Sequence, residues 1–196
     1  QIPGGEIMRL VVFGLMIASA RGCVMPMAKS DQKMAGTYDR LASRLLTRLE
    51  TLAEGNKQQY WVAIAGGPGS GKSTLAEAVA ERINAASSRS ETCVVLPMDG
   101  FHYSRAQLKQ LDPPDAALYL PRRGSPWTFD ASGCYEAFVN AKHDGEASLP
   151  TYSRELSDPV PGGVRLKKCH SVVLVEGNYL LGATGEEERW APLADL

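Results

Sequence analysis

A glycine-rich turn between an apolar run and an amphipathic segment constrains this chain more than any other feature of its sequence. Residues 60–65, YWVAIA, form a continuous apolar run of strand length, and residues 66–73, GGPGSGKS, follow directly. Residues 72–86 then repeat apolar side chains at helical spacing. The pattern G-x-x-x-x-G-K-[ST] in this strand–loop–helix order predicts a loop that wraps phosphate groups.

The residue types of this loop suit a nucleoside triphosphate and a magnesium ion. The glycines let backbone N–H groups point at phosphate oxygens, and the helix that follows adds the positive end of its dipole. Lys72 can reach the β- and γ-phosphates as a catalytic residue, and the Ser73 hydroxyl can ligate Mg²⁺. The predicted nucleotide-binding residues are Gly66, Gly67, Pro68, Gly69, Ser70, Gly71, Lys72, Ser73 and Thr74. From these residues alone the nucleotide is ATP or GTP.

Further apolar segments predict the rest of the fold. Continuous apolar strands separated by helical segments indicate a mostly parallel sheet with helices on both faces. We therefore predict a three-layer α/β/α P-loop domain over residues 35–196, preceded by a poorly ordered extension, residues 1–34. The predicted elements are an amphipathic helix that includes Tyr38 to Leu52 and ends near Gly55, strand 60–65, helix 72–86, strand 93–97, helix 130–142 with Asp130 as its N-cap, and strand 171–175.

Composition narrows the class of partner and compartment. The net charge of −1 gives no basic field for nucleic acid or membrane, so we expect neither as a partner. The four cysteines are widely spaced, which favours free thiols in a reducing compartment. The apolar run Leu10–Ala20 is too short to span a bilayer and could be a signal-peptide core. Export fits badly with a nucleotide site, so we predict a cytoplasmic protein.

Two acids follow predicted strands, at the edge of a parallel sheet where ligands bind. Asp99 follows residues 93–97 and could take the proton of an acceptor hydroxyl as a catalytic base. A turn or helix-capping role is the alternative for Asp99. Glu176 follows residues 171–175 and could hold the magnesium ion, or it could be a solvated acid at a strand end.

The sequence lacks the signatures of two other nucleotide-binding classes. No N-K-x-D motif, which reads guanine in GTPases, follows a later strand, and no L-S-G-G signature of transport ATPases is present. The middle of the chain must therefore indicate which molecule receives the terminal phosphoryl group of the nucleotide.

Four blocks of sequence resemble the phosphoribulokinase/uridine kinase group of P-loop kinases. They are residues 66–74, GGPGSGKST; 98–104, MDGFHYS; 122–130, RRGSPWTFD; and 150–160, PTYSRELSDPV, followed by VLVEGNYLL. Their order is most similar to bacterial-type pantothenate kinase and related fungal ATP-dependent kinases. The resemblance covers the chain from about Tyr38 onward and implies ATP and Mg²⁺ as cofactors.

The resemblance also implies roles for individual residues. Asp99 matches the family's catalytic base, Glu176 its magnesium-associated acid, and Tyr152 a residue that lines the acceptor pocket. The chain departs from the pantothenate-kinase pattern at Arg154, where a histidine is expected, and at Ser157, where a second tyrosine is expected. The resemblance therefore does not imply that pantothenate is the substrate of this chain.

Several residues near these blocks have two interpretations. Arg154 could favour an anionic acceptor, or it could pair on the surface with Glu155 or Asp158. His102 could contact the acceptor, although a histidine beside aromatic residues is more often structural. Arg122 and Arg123 could contact phosphate or acceptor, but adjacent arginines in a loop are more often solvated. Trp127 and Phe129 fit packing better than ligand stacking.

These observations predict an ATP-dependent kinase that phosphorylates a hydroxyl of a small acceptor: a nucleoside, a sugar or a pantothenate-like molecule. The resemblance implies a further strand, an arginine-bearing lid and an adenine-side loop after Leu196, so we expect a truncated sequence. The alternative function is a non-catalytic ATP-binding or regulatory module without a lid. A homodimer is a further expectation.

Overall fold

A computed structural model describes residues 8–11, 29–53, 59–88, 91–111, 119–181, 190 and 193. The chain forms two compact units. The first unit consists of Gln1–Val95 and Cys169–Glu176, and the second of Leu96–Lys168 and Gly177–Leu196. The described strands and helices are β1 (Met8–Val11), α1 (Lys29–Ala53), β2 (Tyr60–Ala65), α2 (Lys72–Ala86), β3 (Cys93–Pro97), α3 (Arg105–Gln110), α4 (Ala131–Asp144), β4 (Ala147–Ser153), β5 (Asp158–Leu166) and β6 (Val172–Gly177), with 3₁₀ turns at Met98–Phe101 and Pro126–Thr128.

A mostly parallel sheet organises the first unit. Its strand order is β1-β2-β6-β3, and β1 pairs in parallel with β2. All six residues of β6 are buried, as expected of a strand in the middle of a covered parallel sheet. Because β6 lies between β2 and β3, strands that are neighbours in this sheet are not all consecutive in the sequence. The predicted α/β P-loop fold with a mostly parallel sheet is confirmed.

The core of the first unit lies between the sheet and two helices. α2 buries one stripe because apolar residues recur at helical spacing along it, and α1 packs its own apolar face into the same core. Full burial of each Val, Leu or Ile side chain in this core stabilises the fold by about 1.5–3 kcal/mol. The core side chains include Tyr38, Ala42, Leu45, Val62, Ile64, Leu75, Val79, Ile83, Val172 and Leu174.

A hairpin and two capped helices make up much of the second unit. Asp130 caps α4 as predicted, since its carboxylate accepts the Gly133 N–H at 2.9 Å, and the left-handed Gly145 ends the helix. Ser104 caps α3 with a reciprocal bond to Gln107. β4 and β5 pair antiparallel in a two-stranded sheet that the sequence did not predict.

Residues 1–34, for which the sequence predicts a poorly ordered extension, include one described strand and the start of a described helix, and that domain division stays a prediction. Residues 8–11 form β1, and α1 begins at Lys29. Residues 1–7 and 12–28, which include most of the run considered as a signal peptide, lie outside the described residues. Among the described residues, no helix combines the length and apolar character needed to cross a membrane.

Candidate functional site

The phosphate loop, residues 66–74, links the buried strand β2 to α2 in the first unit. Gly69 and Gly71 adopt left-handed backbone angles, φ 73° and 84°, which a side chain would strain. A Cβ atom at either position would meet nothing within 4 Å, so the glycines are required by conformation and leave the space beside the loop open. The Ser70 hydroxyl oxygen is buried and has no hydrogen-bond partner among the described residues.

Lys72 is the charged residue at the start of α2, and it is only 7% exposed. Its side chain makes no hydrogen bond or ion pair with any described residue. Buried charges in proteins are normally paired, since an unpaired one costs several kcal/mol of solvation. An anion that binds at the loop would supply the missing partner.

The two predicted magnesium ligands lie together. The Ser73 hydroxyl donates a hydrogen bond to the Glu176 carboxylate, with 3.2 Å between the oxygens. Glu176 is 4% exposed and lies in β6, so 103 residues of sequence separate two side chains that the sheet brings into contact. This part-buried hydroxyl–carboxylate pair offers only oxygen atoms, the donors that Mg²⁺ prefers.

These features fit a nucleoside triphosphate with Mg²⁺. A buried ammonium without a partner and an unsatisfied Ser70 hydroxyl suit phosphate oxygens. The open glycine positions leave room for close approach of the backbone, and the Ser73–Glu176 pair suits the metal. The roles of the loop residues remain predictions that the geometry supports.

Asp99 lies in the second unit, in the 3₁₀ turn that follows β3. Its side chain is half-buried and makes no hydrogen bond or ion pair with the described residues, so it does not act as the cap that the alternative interpretation proposed. The turn packs closely on β4, because a Cβ at Gly100 would lie 2.1 Å from the Pro150 carbonyl oxygen. The phosphate loop belongs to the other unit, so the placement of Asp99 opposite a γ-phosphate remains a prediction.

His102 connects this turn to the aromatic residues of the second unit. Its ring packs on Phe129, with centroids 3.8 Å apart, and on Tyr152 at 4.9 Å. Its Nδ1–H donates to the Asp99 carbonyl at 2.8 Å, which leaves Nε2 with a lone pair. Burial lowers the pKa of His102 and the charge of Arg123 lowers it further, whereas the hydrogen bond to Asp99 and the Asp99 charge oppose this.

Two polar atoms beside these rings make no hydrogen bond within the described part of the chain. Neither His102 Nε2 nor the Tyr152 hydroxyl has a hydrogen-bond partner among the described residues. Both residues are half-buried. Phe129, by contrast, is 1% exposed, which confirms that it is a packing residue. His102 is thus partly structural, as its aromatic surroundings indicated, and still has one nitrogen available.

Arg123 has a structural role that the sequence analysis missed. Its guanidinium donates to the Tyr103 carbonyl at 2.7 Å, to the Asp158 carboxylate at 2.8 Å and to the Ser157 carbonyl. It also lies over the Tyr152 ring, 5.4 Å from the centroid. The expectation of a solvated arginine is therefore wrong for Arg123. No local signal could have revealed this, because its partners come from two distant segments.

Arg154 lies exposed in the turn between β4 and β5. The proposed surface pair with Asp158 is wrong, since Asp158 bonds to Arg123 and to the Arg105 amide. Desolvation raises the pKa of Asp158, but these two partners outweigh it and the pKa is lowered overall. Within the described residues Arg154 forms no ion pair, so a role toward an anionic acceptor stays a prediction. Ser157, beside it, adopts a left-handed φ of 53°.

Known proteins resemble this chain in sequence and in fold. A candidate uridine kinase of Schizosaccharomyces pombe is 37% identical over 153 residues, which are 77% of this chain and 62% of that protein. A crystal structure of a candidate fructose transport system kinase from Silicibacter sp. TM1040 is 32% identical, with a TM-score of 0.63. The match covers 80% of this chain and 68% of that one.

The fold is shared more widely. YFH7 of Saccharomyces cerevisiae, whose structure is described as a P-loop kinase with a circular permutation, matches with a TM-score of 0.67 at 22% identity. That match covers 81% of this chain and 79% of YFH7. No protein-family model matches the chain. The chain spans about three fifths of the length of the first curated relatives that it matches.

Proposed function

Because this chain belongs to the P-loop kinases, we propose that it transfers the γ-phosphoryl group of ATP to a hydroxyl of a small organic acceptor. The relatives named as kinases support the reaction class. Those names do not identify the acceptor, because they differ from one relative to the next.

The buried, unpaired ammonium of Lys72 is the observation that carries this proposal. It is 7% exposed and has no anionic partner among the described residues. A charge held in this way costs the free protein stability, and phosphate oxygens would remove that cost. Backbone N–H groups of the loop and the amino end of α2 would contribute further attraction for phosphate.

Ser73 and Glu176 would hold the magnesium ion. Bound there, Mg²⁺ would neutralise negative charge on the β- and γ-phosphate oxygens. The contribution of the chain is to keep two oxygen ligands together before the nucleotide arrives, since their side chains already share a hydrogen bond of 3.2 Å. The ligands therefore need little rearrangement to bind the ion.

Asp99 would act on the acceptor. Its half-buried carboxylate makes no hydrogen bond or ion pair with the described residues, so it is available to accept the proton of a hydroxyl. The hydrogen bond from the His102 ring to the Asp99 carbonyl would fix the backbone of the turn that carries this carboxylate.

Tyr152 and His102 would orient the acceptor, each with one unused polar atom beside an aromatic face. Arg154, exposed nearby in sequence, would favour an acceptor that carries a negative group. The acceptors we propose are a nucleoside, a sugar or a pantothenate-like molecule, and the subgroup we propose is the phosphoribulokinase/uridine kinase family. The cytoplasm is the proposed compartment.

Release of ADP in the presence of single acceptors tests the proposal. The chain would be mixed with ATP, Mg²⁺ and one of uridine, fructose or pantothenate, and compared with Asp99→Asn and the exposed control Asp144→Asn. We expect one acceptor to stimulate ADP release, with the stimulation lost only in Asp99→Asn. ATP binding without stimulated release would instead support a non-catalytic nucleotide-binding module. ADP release independent of any acceptor would indicate simple hydrolysis.

A further inference from the structure

A second group of ligand-type side chains lies in the first unit, at the other edge of the sheet from the phosphate loop. One donor atom each from Glu91, Cys169 and His170 lie within 4.8 Å of one another. Cys169 is an exposed free thiol, Glu91 is exposed and His170 is buried. No part of the proposed phosphoryl transfer uses these residues.

Backbone hydrogen bonds fix the position of this group. The Tyr60 N–H, at the start of β2, donates to the Ser171 carbonyl at 2.8 Å, and the N–H groups of Ser171 and Val172 donate to the Thr92 carbonyl. The starts of β2, β6 and β3 therefore lie side by side. The phosphate loop follows the opposite end of β2, about 20 Å away at roughly 3.3 Å per residue.

The segment that carries Glu91 is held by a side chain from α2. The Asn84 carbonyl oxygen accepts the N–H groups of Thr92 and Cys93, both at 2.8 Å, and its amide donates to the Cys93 carbonyl at 3.0 Å. The backbone that follows each part of the group is therefore anchored, at Thr92 and Cys93 after Glu91 and at Ser171 and Val172 after Cys169 and His170. Anchored backbone reduces the entropy that a ligand set loses when it binds an ion.

We propose that Glu91, Cys169 and His170 form a binding site for a zinc-type divalent ion. One thiolate, one imidazole and one carboxylate match the ligands that Zn²⁺ accepts, and three protein ligands leave a fourth position for water or another ligand. Mg²⁺ and Ca²⁺ prefer oxygen donors throughout, so the thiol and imidazole select against them. The ion at this site would therefore differ from the one that accompanies the nucleotide.

Metal binding by the nucleotide-free chain tests this site. Equilibrium dialysis with Zn²⁺ in the presence of excess Mg²⁺ would give stoichiometry and affinity, and Co²⁺ would report a thiolate ligand through its sulfur-to-metal absorption band. We expect one ion per chain and a thiolate band. Cys169→Ser should abolish the band and weaken binding by at least about tenfold, since losing even a residue that only orients a ligand costs that much.

Two control variants separate this site from other metal-binding groups. His143→Ala removes an exposed histidine whose ring lies beside the Asp144 carboxylate. This histidine–carboxylate pair contains no thiol. Cys23→Ser removes a different cysteine. Both should retain the ion and the band, and Glu91→Gln should weaken binding. Absence of binding by the unaltered chain, or equal binding by Cys169→Ser, would overturn the proposal without bearing on the kinase reaction.

Discussion

At the residue scale, Lys72 carries a buried positive charge that has no partner among the described residues of the free protein. Replacement by Met removes a buried, unpaired ammonium and keeps most of the apolar stem. Loss of a charge-assisted hydrogen bond of about 1.5–3 kcal/mol should weaken ATP binding by about ten- to a hundredfold. The unfolding free energy of the nucleotide-free protein should not fall, and we expect it to rise by about 1 kcal/mol.

Calorimetric ATP titration and denaturant unfolding of Lys72→Met measure both effects. Lys109→Met, which removes an exposed lysine from α3, is the matched control and should change neither. A large loss of stability in Lys72→Met with unchanged ATP affinity would mean that the lysine supports the fold rather than the ligand.

His102 should make stability depend on pH. Burial lowers its pKa in the folded protein, so below the usual value of about 6.5 the unfolded chain binds a proton that the folded one does not. Stability from this residue is thus present above that pH and is lost as the pH falls. Urea unfolding between about pH 7.5 and pH 5 should show a smaller loss in His102→Gln than in the unaltered chain. An identical slope in both proteins would contradict this, and the exposed His143→Gln serves as the control.

At the scale of elements, Arg123 joins the loop before α4 to the turn of the β4–β5 hairpin. Its guanidinium is 13% exposed and bonds to Asp158 and two carbonyls. Arg123→Ala leaves these acceptors without a partner and should cost about 2 kcal/mol or more of unfolding free energy. Arg122→Ala, at the exposed neighbouring position, should stay within about 0.5 kcal/mol. Equal effects in denaturant unfolding would show that Arg123 does not hold the hairpin.

The packing of the 3₁₀ turn on β4 leads to a test with two glycines. Gly100→Ala would place a Cβ 2.1 Å from the Pro150 carbonyl oxygen, and backbone on both sides must move. We expect a loss of more than about 2 kcal/mol. Gly36→Ala, in α1 with nothing within 4 Å, should instead stabilise by about 0.5–1 kcal/mol. Thermal unfolding that ranks the two variants in the reverse order would contradict the packing described.

The sequence predicted the elements that depend on local pattern. β2, α2 and β3 have the predicted bounds because continuous apolar runs and a glycine turn delimit them, whereas α4 begins one residue later than predicted and ends two residues further on. The β4–β5 hairpin was missed because Pro159, Pro161, Gly162 and Gly163 interrupt the alternation that marks a strand. For Ser73 and Glu176, the sequence predicted only that both residues lie at the same edge of the sheet, and it did not predict their contact. The Arg123 bonds join segments whose approach no local pattern encodes.

At the scale of the whole molecule, the proposed reaction consists of nucleotide binding and phosphoryl transfer, which depend on different residues. Lys72, Ser73 and Glu176 belong to the first unit, and Asp99 and Tyr152 to the second. Nucleotide binding should therefore survive changes to Asp99, while transfer should not. This separation distinguishes a kinase from a protein that only binds ATP.

Tracing labelled γ-phosphate from ATP tests the central claim most directly. The chain and Asp99→Asn would each be incubated with labelled ATP, Mg²⁺ and the stimulating acceptor, and the products separated by mass. We predict that the unaltered chain places the label on an organic acceptor, and that Asp99→Asn binds ATP with similar affinity but forms little labelled product. Label recovered only as inorganic phosphate, or equal product from both proteins, would contradict the account.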